Sequence, residues 1–263
     1  MQMLRSVAFV VAMYGWMAVI GLVYAPWAIL SPRGARAGCD TYARHVLRML
    51  ERMTGLRTEV RGTVPTGAVL VAAKHQSFLD ILLIWDAMPR GFFVMKALLR
   101  WAPILGQYAT RLGCIPVHRG QRAEAIRRML AEVRSGERQG GQLLIYPQGT
   151  RVAPGVRAPY KVGTYALYEQ LGQPCVPVAT NVGLFWPKRG LLRRPGLGVA
   201  EFLEPIPPGL GRQAFMALLE TQIEEGSNRL MAEAGFPVRT AHRPVGDPLA
   251  AAAADVARGT SRS

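Results

Sequence analysis

An uncharged apolar segment near the N-terminus restricts the fold of this chain more than any other feature of its sequence. No charged residue occurs from Ser6 to Pro32, and Val7–Leu30 is almost entirely apolar. As one continuous helix, Val7–Leu30 would extend roughly 36 Å, enough to cross a hydrocarbon core about 30 Å thick. Because apolar residues cover the whole circumference of such a helix, we expect a membrane anchor rather than a helix buried in a soluble core.

Residues within this segment leave two membrane arrangements open. Trp16, Tyr24 and Trp27 are amphipathic aromatic residues of the kind found at membrane boundaries. Gly21 and Pro26 could divide the segment into two short helices that enter one leaflet, so both a complete span and a re-entrant anchor stay open. The segment exceeds the apolar region of a signal peptide, and no small-x-small cleavage site stands out after it, so we expect it to be retained.

The basic residues indicate which side of the membrane the rest of the chain occupies. Arg5 is the only charged side chain before the apolar segment. The arginines that follow it are Arg33, Arg36, Arg44, Arg48, Arg52 and Arg57. Because Lys and Arg concentrate on the cytoplasmic side of membrane proteins, we expect the body of the protein to face the cytoplasm.

The composition favours a lipid surface and excludes several other classes of partner or site. A net charge of +15 on a chain that is 50% hydrophobic suits anionic lipid. We expect no nucleic acid partner, because there is no zinc-finger spacing, no RNP-like aromatic strand and no basic helix free of acidic residues. Cys39, Cys114 and Cys175 are far apart and form no C-x-x-C pair, which excludes a disulfide framework and a thiolate-based zinc site.

After the anchor, short apolar runs alternate with amphipathic helical patterns. The strand-like runs are Val69–Ala73, Phe92–Met95, Cys114–His118, Leu143–Tyr146, Cys175–Val182 and Val199–Leu203. The helical patterns are Asp40–Thr54, Gln121–Glu137, Gly163–Leu171 and Arg212–Ala234. This alternation predicts an α/β fold with a mixed, largely parallel sheet flanked by helices. We therefore expect an anchor at residues 1–38, one α/β domain at residues 39–238 and a disordered tail at residues 239–263.

A histidine and an aspartate lie five residues apart, directly after the first strand-like run. Neutral imidazole can accept a proton from a hydroxyl near neutral pH when a carboxylate fixes its tautomer. On one continuous helix His75 and Asp80 would point about 140° apart, so they meet only if His75 precedes the helix and Asp80 lies in its first turn. Ser77-x-x-Asp80 before an apolar run indicates such a helix start, although Asp80 could then be merely a capping residue. Their position at a strand-to-helix junction favours a general base with its orienting acid.

Two later segments contain residues that could bind an anion. In Pro147-Gln148-Gly149-Thr150-Arg151, the N–H groups of the turn, the threonine hydroxyl and the guanidinium could together hold a phosphate. Arg119 follows a predicted strand and could join them, or could be a solvated surface residue. His118 could also be catalytic, but no carboxylate lies near it in sequence. We expect no metal site, because the spacing of metal ligands is absent.

Four blocks of the sequence resemble, in order, the motifs of the glycerolipid acyltransferase family, which includes the 1-acyl-sn-glycerol-3-phosphate acyltransferases. The blocks are His75–Asp80, Gly113–Arg119, Tyr146–Arg151 and Val176–Ala179. The first resembles the family's His-x4-Asp block and the third its Phe-Pro-Glu-Gly-Thr-Arg block. Lys161 and Gly163 also fall where a Lys-x-Gly follows the third block. The resemblance covers roughly residues 55 to 205.

The resemblance implies direct acyl transfer without a metal, a cofactor or a covalent enzyme intermediate. His75, oriented by Asp80, would deprotonate the hydroxyl of lysophosphatidic acid, which would then attack the thioester of acyl-CoA or acyl-carrier protein and give phosphatidic acid. Arg119 and Arg151 would hold the acceptor phosphate, and residues 148–150 would help to place the glycerol. The fourth block would help to line the acyl site. The expected location is the inner membrane, with the catalytic domain on the cytoplasmic face.

Two positions depart from the family pattern and bear on the acceptor. Gln148 stands where a Glu is common, and His118 stands where an Asp is frequent. Both changes make the site less acidic, and neither alters the proposed base. The acceptor could therefore be another lysolipid, such as a lyso-ornithine lipid or a lysophospholipid. A non-catalytic module that binds anionic lipid through its basic face also stays open.

Overall fold

The computed structural model describes residues 1–102, 104–117 and 140–237. The helices are α1 Gln2–Val23, α2 Ala25–Leu30, α3 Pro32–Thr54, α4 Leu79–Ala87, α5 Leu105–Arg111, α6 Gly163–Leu171 and α7 Arg212–Glu233. The strands are β1 Leu56–Arg61, β2 Val69–Ala73, β3 Gly91–Lys96, β4 Ile115–Val117, β5 Gln142–Ile145, β6 Cys175–Thr180 and β7 Gly196–Phe202. The predicted helix Gln121–Glu137, His118, Arg119 and the predicted tail 239–263 lie outside the described residues.

The strands of the described residues form one seven-stranded sheet in the order β1-β7-β6-β2-β5-β3-β4. The β6–β7 pair is antiparallel and the other pairs are parallel, which confirms the predicted mixed, largely parallel α/β sheet. Every residue of β5 and β6 is buried, as expected for central parallel strands covered on both faces. The sequence prediction missed β1, because its sequence Leu-Arg-Thr-Glu-Val-Arg is largely polar and the strand lies at the edge of the sheet.

Strand β2 shows how the sheet separates two layers of helices. Val71 and Ala73 belong to a buried cluster with residues of α1, α3 and α4. Leu70 and Ala72 belong to a second cluster with residues of α6 and α7. The alternation follows from the two-residue period of a strand, in which successive side chains point to opposite faces. Residues that continue β2 past Ala73 are therefore directed alternately towards α4 and towards α7.

The apolar N-terminal segment is divided into two helices rather than forming one. Helix α1 ends at Val23, and Pro26 lies in the first turn of α2, where its missing N–H leaves no hydrogen bond unmade. Of the two positions at which the sequence allowed a division, Pro26 lies at the break between the helices and Gly21 lies inside α1. Among the described residues, α1 is the one helix long and apolar enough to cross a membrane.

One side of α1 belongs to the core of the α/β domain. Phe9 and Met13 are buried in the cluster that contains Val71, and the Phe9 ring meets the Trp186 ring edge-on at 5.5 Å. Buried Ser6 accepts a hydrogen bond from the Arg193 N–H at 2.9 Å. The other side of α1 is exposed along much of its length. Helix α1 is thus packed against the domain by both apolar and polar contacts.

Helix α3 begins at Pro32, well before the predicted start at Asp40, so the predicted boundary at residue 38 falls inside it. Gly34 and Gly38 weaken the helical signal of its first turns. Both glycines allow close packing, since an added Cβ would lie 2.6 Å from the Trp27 carbonyl oxygen at position 34 and 3.0 Å from the Tyr108 ring at position 38. Tertiary packing therefore stabilises a turn region that the sequence pattern did not predict as helix.

Candidate active site

His75 and Asp80 meet at the junction between β2 and α4. His75 lies on the loop that leaves β2, and Asp80 lies in the first turn of α4. The Nδ1 atom of His75 is 2.8 Å from Oδ1 of Asp80. With the carboxylate accepting from Nδ1–H, the lone pair of Nε2 is left for a substrate proton. The structure thus brings together the pair that the sequence predicted, in the loop-and-first-turn arrangement that it required.

Asp80 also accepts the hydrogen bond from Ser77 that a capping-box partner would accept, so the two interpretations of this residue hold together. Its second oxygen, Oδ2, accepts hydrogen bonds from the backbone N–H groups of Gln76 at 2.8 Å and Ser77 at 2.7 Å. The side chain is fully buried. Three donors therefore hold one carboxylate, which fixes its rotamer and, through Oδ1, the plane and tautomer of the imidazole.

Tyr146 packs against one face of the His75 imidazole. Its ring stacks on His75 with centroids 3.9 Å apart and planes at 20°. Burial, and then the negative charge of Asp80, raise the pKa of the Tyr146 phenol well above its usual value, so the ring stays neutral. Sequence reasoning assigned Tyr146 no separate role, because an aromatic residue after a strand usually signals only core packing.

The predicted anion-binding turn closes onto His75. Gly149 has φ of 68°, and its N–H donates to the Tyr146 carbonyl at 2.8 Å. The N–H of Val152 donates to the His75 carbonyl at 2.7 Å. The backbone conformation therefore favours glycine here, and a Cβ at position 149 would lie 2.6 Å from Nζ of Lys161 and displace that side chain. The turn is therefore attached directly to the loop that carries the histidine.

Gln148 is directed away from the cavity that the neighbouring turn residues line. It is buried, and its Nε2 atom lies 3.3 Å from the Ala158 carbonyl oxygen and 3.5 Å from Oε1 of Glu224. Gly149, Thr150 and Arg151 do line the cavity. The four substrate-binding residues that were predicted in this turn are thus divided: three face the cavity, and Gln148 supports the turn from behind, while Arg119 lies outside the described residues.

Two lysines add positive charge beside these residues. Lys161 and Lys188 both line the cavity together with Arg151. Nζ of Lys188 lies 2.8 Å from the Arg151 carbonyl oxygen and 3.4 Å from Oγ1 of Thr150. Lys188 lies in a loop after the fourth block, within no recognisable motif, so the sequence held no signal for it. The cluster can bind a phosphate by charge and by hydrogen bonds.

The cavity combines these polar residues with a larger number of apolar ones. Its volume is about 680 Å³, and His75 lies in its wall. Apolar residues that line it include Phe78, Leu82, Trp85, Phe93, Met95, Tyr108 and Leu112. The fourth block, Val176–Ala179, does not line it: these residues belong to the central strand β6 and are buried in the core. The apolar lining of this cavity comes mainly from α3, α4, α5 and β3, so a role of the fourth block in an acyl site stays a prediction.

Comparisons with known proteins agree with this fold and arrangement. Residues 57–181 match the family model described as Acyltransferase. The 1-acyl-sn-glycerol-3-phosphate acyltransferase of Pseudomonas aeruginosa is 29% identical over 60% of this chain and 62% of its own length. The Saccharomyces cerevisiae protein of the same name is 30% identical over 62% of this chain and 56% of its own length. The chain thus spans about three fifths of the length of these relatives.

A solved structure has the same fold. The crystal structure of the 1-acyl-sn-glycerophosphate (LPA) acyltransferase PlsC from Thermotoga maritima superimposes with a TM-score of 0.74. The superposition covers 88% of this chain and 96% of that chain, at 21% sequence identity. The similarity extends beyond residues 57–181 and includes most of the described helices and strands.

Proposed function

We propose that this protein is a membrane-associated acyltransferase that moves an acyl chain from acyl-CoA or acyl-carrier protein to the free hydroxyl of lysophosphatidic acid. The observation that carries the proposal is the position of the His75–Asp80 pair, in the wall of a cavity lined by cationic and by apolar residues. A lysophosphatidic acid molecule has the same three parts: a phosphate, a hydroxyl and an acyl chain. The names of the relatives support this acceptor.

The proposed reaction is a direct transfer of the acyl group from the thioester to the acceptor hydroxyl, with His75 moving the proton. Nε2 of His75 removes the proton of the acceptor hydroxyl, and the hydroxyl oxygen attacks the thioester carbonyl carbon. Asp80 stabilises the imidazolium that forms. When the tetrahedral intermediate collapses, the C–S bond breaks and the imidazolium returns its proton to the departing thiolate. The products are phosphatidic acid and a free thiol, and the reaction needs no metal, cofactor or acyl-enzyme.

The cationic residues of the cavity form the proposed site of the acceptor phosphate. Arg151, Lys161 and Lys188 would bind the phosphate oxygens, together with Arg119, which the sequence resemblance also assigns to this site. The hydroxyl of Thr150 and the turn at Gly149 would add hydrogen bonds to the phosphate or the glycerol. The apolar residues would accommodate an acyl chain, since burial of each methylene contributes about 0.8 kcal/mol.

The N-terminal helices are the proposed membrane contact. The exposed apolar residues of α1 and α2 include Val11, Tyr14, Val19, Leu22, Val23, Trp27, Ile29 and Leu30. Exposed apolar patches of this kind mark membrane or protein interaction sites. Both substrates of the proposed reaction carry acyl chains, so an enzyme held at a bilayer would meet them where they dissolve. We propose the inner membrane, with the cavity on the cytoplasmic side.

A transfer assay tests the proposal. Purified protein is incubated with labelled acyl-CoA or acyl-carrier protein and a panel of lysolipids that includes lysophosphatidic acid, a lyso-ornithine lipid and lysophosphatidylcholine. We expect wild type to prefer lysophosphatidic acid, and His75→Ala to lose on the order of 10²-fold or more of the activity. His45→Ala is the matched control, because His45 lies on α3, where its ring contacts Trp16.

Each outcome of this assay has a distinct meaning. A preference for the lyso-ornithine lipid or for lysophosphatidylcholine would replace the proposed acceptor and keep the reaction. An absence of transfer to every lysolipid would leave only the module that binds anionic lipid without catalysis. Full transfer activity in His75→Ala would overturn the role of His75 as the base. Retained lipid binding in His75→Ala with lost transfer is the result that the proposal requires.

A further inference from the structure

A buried ion pair lies next to the proposed catalytic histidine, on the opposite face of the sheet from Asp80. Lys74 precedes His75, and its side chain is 3% exposed. Its Nζ atom is 2.5 Å from Oε1 of Glu224, which belongs to α7 and whose side chain is 13% exposed. Lys and Glu are almost never buried unless they are paired, because removing a lone charge from water is strongly unfavourable. The pair therefore links the end of β2 to α7.

The same carboxylate oxygen meets two further donors from the segment that follows β5. The Tyr160 hydroxyl donates to Oε1 of Glu224 at 2.9 Å. Burial, and then the charge of Glu224, raise the pKa of Tyr160 far above its usual value, so this phenol remains a neutral donor. Nε2 of Gln148 lies 3.5 Å from the same oxygen. One carboxylate thus collects donors from the loop after β2, the turn after β5 and the segment that precedes α6.

The environment of Gln148 shows that the carboxylate also orients the amide. Within the described residues, Oε1 of Gln148 is buried without a hydrogen-bond partner, whereas Nε2 lies near the Ala158 carbonyl and Glu224. Acceptors around the nitrogen therefore set the orientation of the amide. A carboxylate in place of this amide would face the carboxylate of Glu224.

Helix α7 is a firm support for Glu224. Gly226 lets the helix approach β6 closely, since an added Cβ would lie 2.9 Å from the Cβ of Ala179. Oγ of Ser227 accepts from the N–H of Thr180 at 3.2 Å. Strand β6 pairs directly with β2, the strand that leads to His75. Because α7 is held against β6, a displacement of the Glu224 side chain would move Lys74 and Gln148 and would not be compensated by a shift of α7.

We propose that Glu224 is a positioning residue that sets the distance between His75 and the anion-binding turn 147–151, acting through Lys74 and Gln148. The inference rests on the proposed function, because it concerns the placement of an acceptor between its phosphate site and the base. With the phosphate held at the turn, the hydroxyl reaches Nε2 of His75 only when this distance is correct. Misplacement of reacting groups by about 1 Å can lower a rate by about 100-fold.

The test exchanges the carboxylate of Glu224 and the amide of Gln148. Glu224→Gln leaves Lys74 buried without its counter-charge, and Gln148→Glu places two carboxylates together. The double variant Q148E/E224Q keeps one carboxylate and one amide in the cluster. Glu220→Gln is the matched control, because Glu220 lies one turn earlier on α7 and pairs with exposed Arg157 at 3.3 Å. For each variant, kcat and KM for lysophosphatidic acid and the midpoint of thermal unfolding are measured.

We expect each single variant to lose about 10- to 100-fold in kcat/KM, the double variant to be more active than either, and Glu220→Gln to stay within about twofold. If Glu224→Gln folds and its kcat and KM are unchanged, the Lys74–Glu224 ion pair only stabilises the fold, and the inference is overturned. Strictly additive losses in the double variant would do the same. If Glu224→Gln does not fold, Gln148→Glu and the double variant decide the question in the same way.

A second measurement separates this inference from the proposed function. The NMR signals of the His75 ring, assigned by their loss in His75→Ala, should shift in Glu224→Gln and stay in place in Glu220→Gln. Unmoved His75 signals in Glu224→Gln would overturn the positioning role, whatever the activity. If wild type transfers no acyl group to any lysolipid, the proposed function fails, while a shift of the His75 signals still supports the coupling to Glu224.

Discussion

Two neighbouring residues at the end of β2 pair with carboxylates of very different origin. His75 is paired with Asp80, five positions along the chain, at the start of α4. Lys74 is paired with Glu224, 150 positions away, in α7 on the opposite face of the sheet. The first pair leaves a ring nitrogen free for chemistry, and the second is enclosed by Tyr160 and Gln148. One strand end therefore carries the pair proposed to be reactive, made locally, and the pair proposed to support it, made by the tertiary fold.

Asp80→Asn should have the largest effect and would show that the two pairs differ in kind. An amide can present an N–H to Nδ1 and so favour the tautomer in which Nε2 carries the proton. It also loses charge next to the N–H groups of Gln76 and Ser77. We expect kcat to fall on the order of 10³-fold, well beyond the loss in Glu224→Gln. Equal losses of kcat in the two variants would remove the distinction between a reactive and a supporting pair.

Gly149→Ala should have an intermediate effect and would test whether the turn that follows β5 contributes to acceptor binding. Gly172→Ala is the control: both glycines have positive φ, 68° and 59°, but only position 149 has Lys161 in the way of a Cβ. Both variants should lose about 1 kcal/mol of unfolding free energy from backbone strain. Only Gly149→Ala should raise KM for lysophosphatidic acid, by about tenfold, since small displacements of a binding group have effects of this size. An equal KM in the two alanine variants would show that the turn at Gly149 does not contribute to acceptor binding.

Lys188→Ala should have the smallest effect, because the side chain is exposed and water screens its charge. We expect KM for lysophosphatidic acid to rise about threefold with kcat unchanged, which corresponds to roughly 0.6 kcal/mol of acceptor binding. Arg189→Ala, at the adjacent exposed position, controls for the general loss of positive charge. A rise of KM in both variants, abolished by salt, would assign the effect to overall charge rather than to contact with the phosphate.

The local pair could be predicted from sequence and the distant pair could not. His75, Asp80 and the strand before them form one short pattern, and helix α6 has the bounds that its periodicity predicts. Glu224 is one of several acidic residues in α7, and only the packing of α7 against β6 singles it out. The orientation of Gln148 was equally inaccessible, because it depends on the positive φ of Gly149 and on acceptors from two other segments. A pair formed by residues close in sequence can be predicted from their spacing, whereas a contact between distant residues depends on the tertiary packing of α7 on the sheet.

The packing of α1 has a mechanical consequence. Phe9 and Met13 share a core with Val71 of β2, and the Ser6 hydroxyl is bonded to the Arg193 backbone. A helix fixed at these points keeps one orientation relative to the domain, so at the proposed bilayer the domain could not swing or drift about α1. The height and tilt of the cavity mouth above the lipid surface would then be set by the folded domain itself. Lysolipids would have to rise to a fixed depth to react, whatever the length of chain that precedes α3.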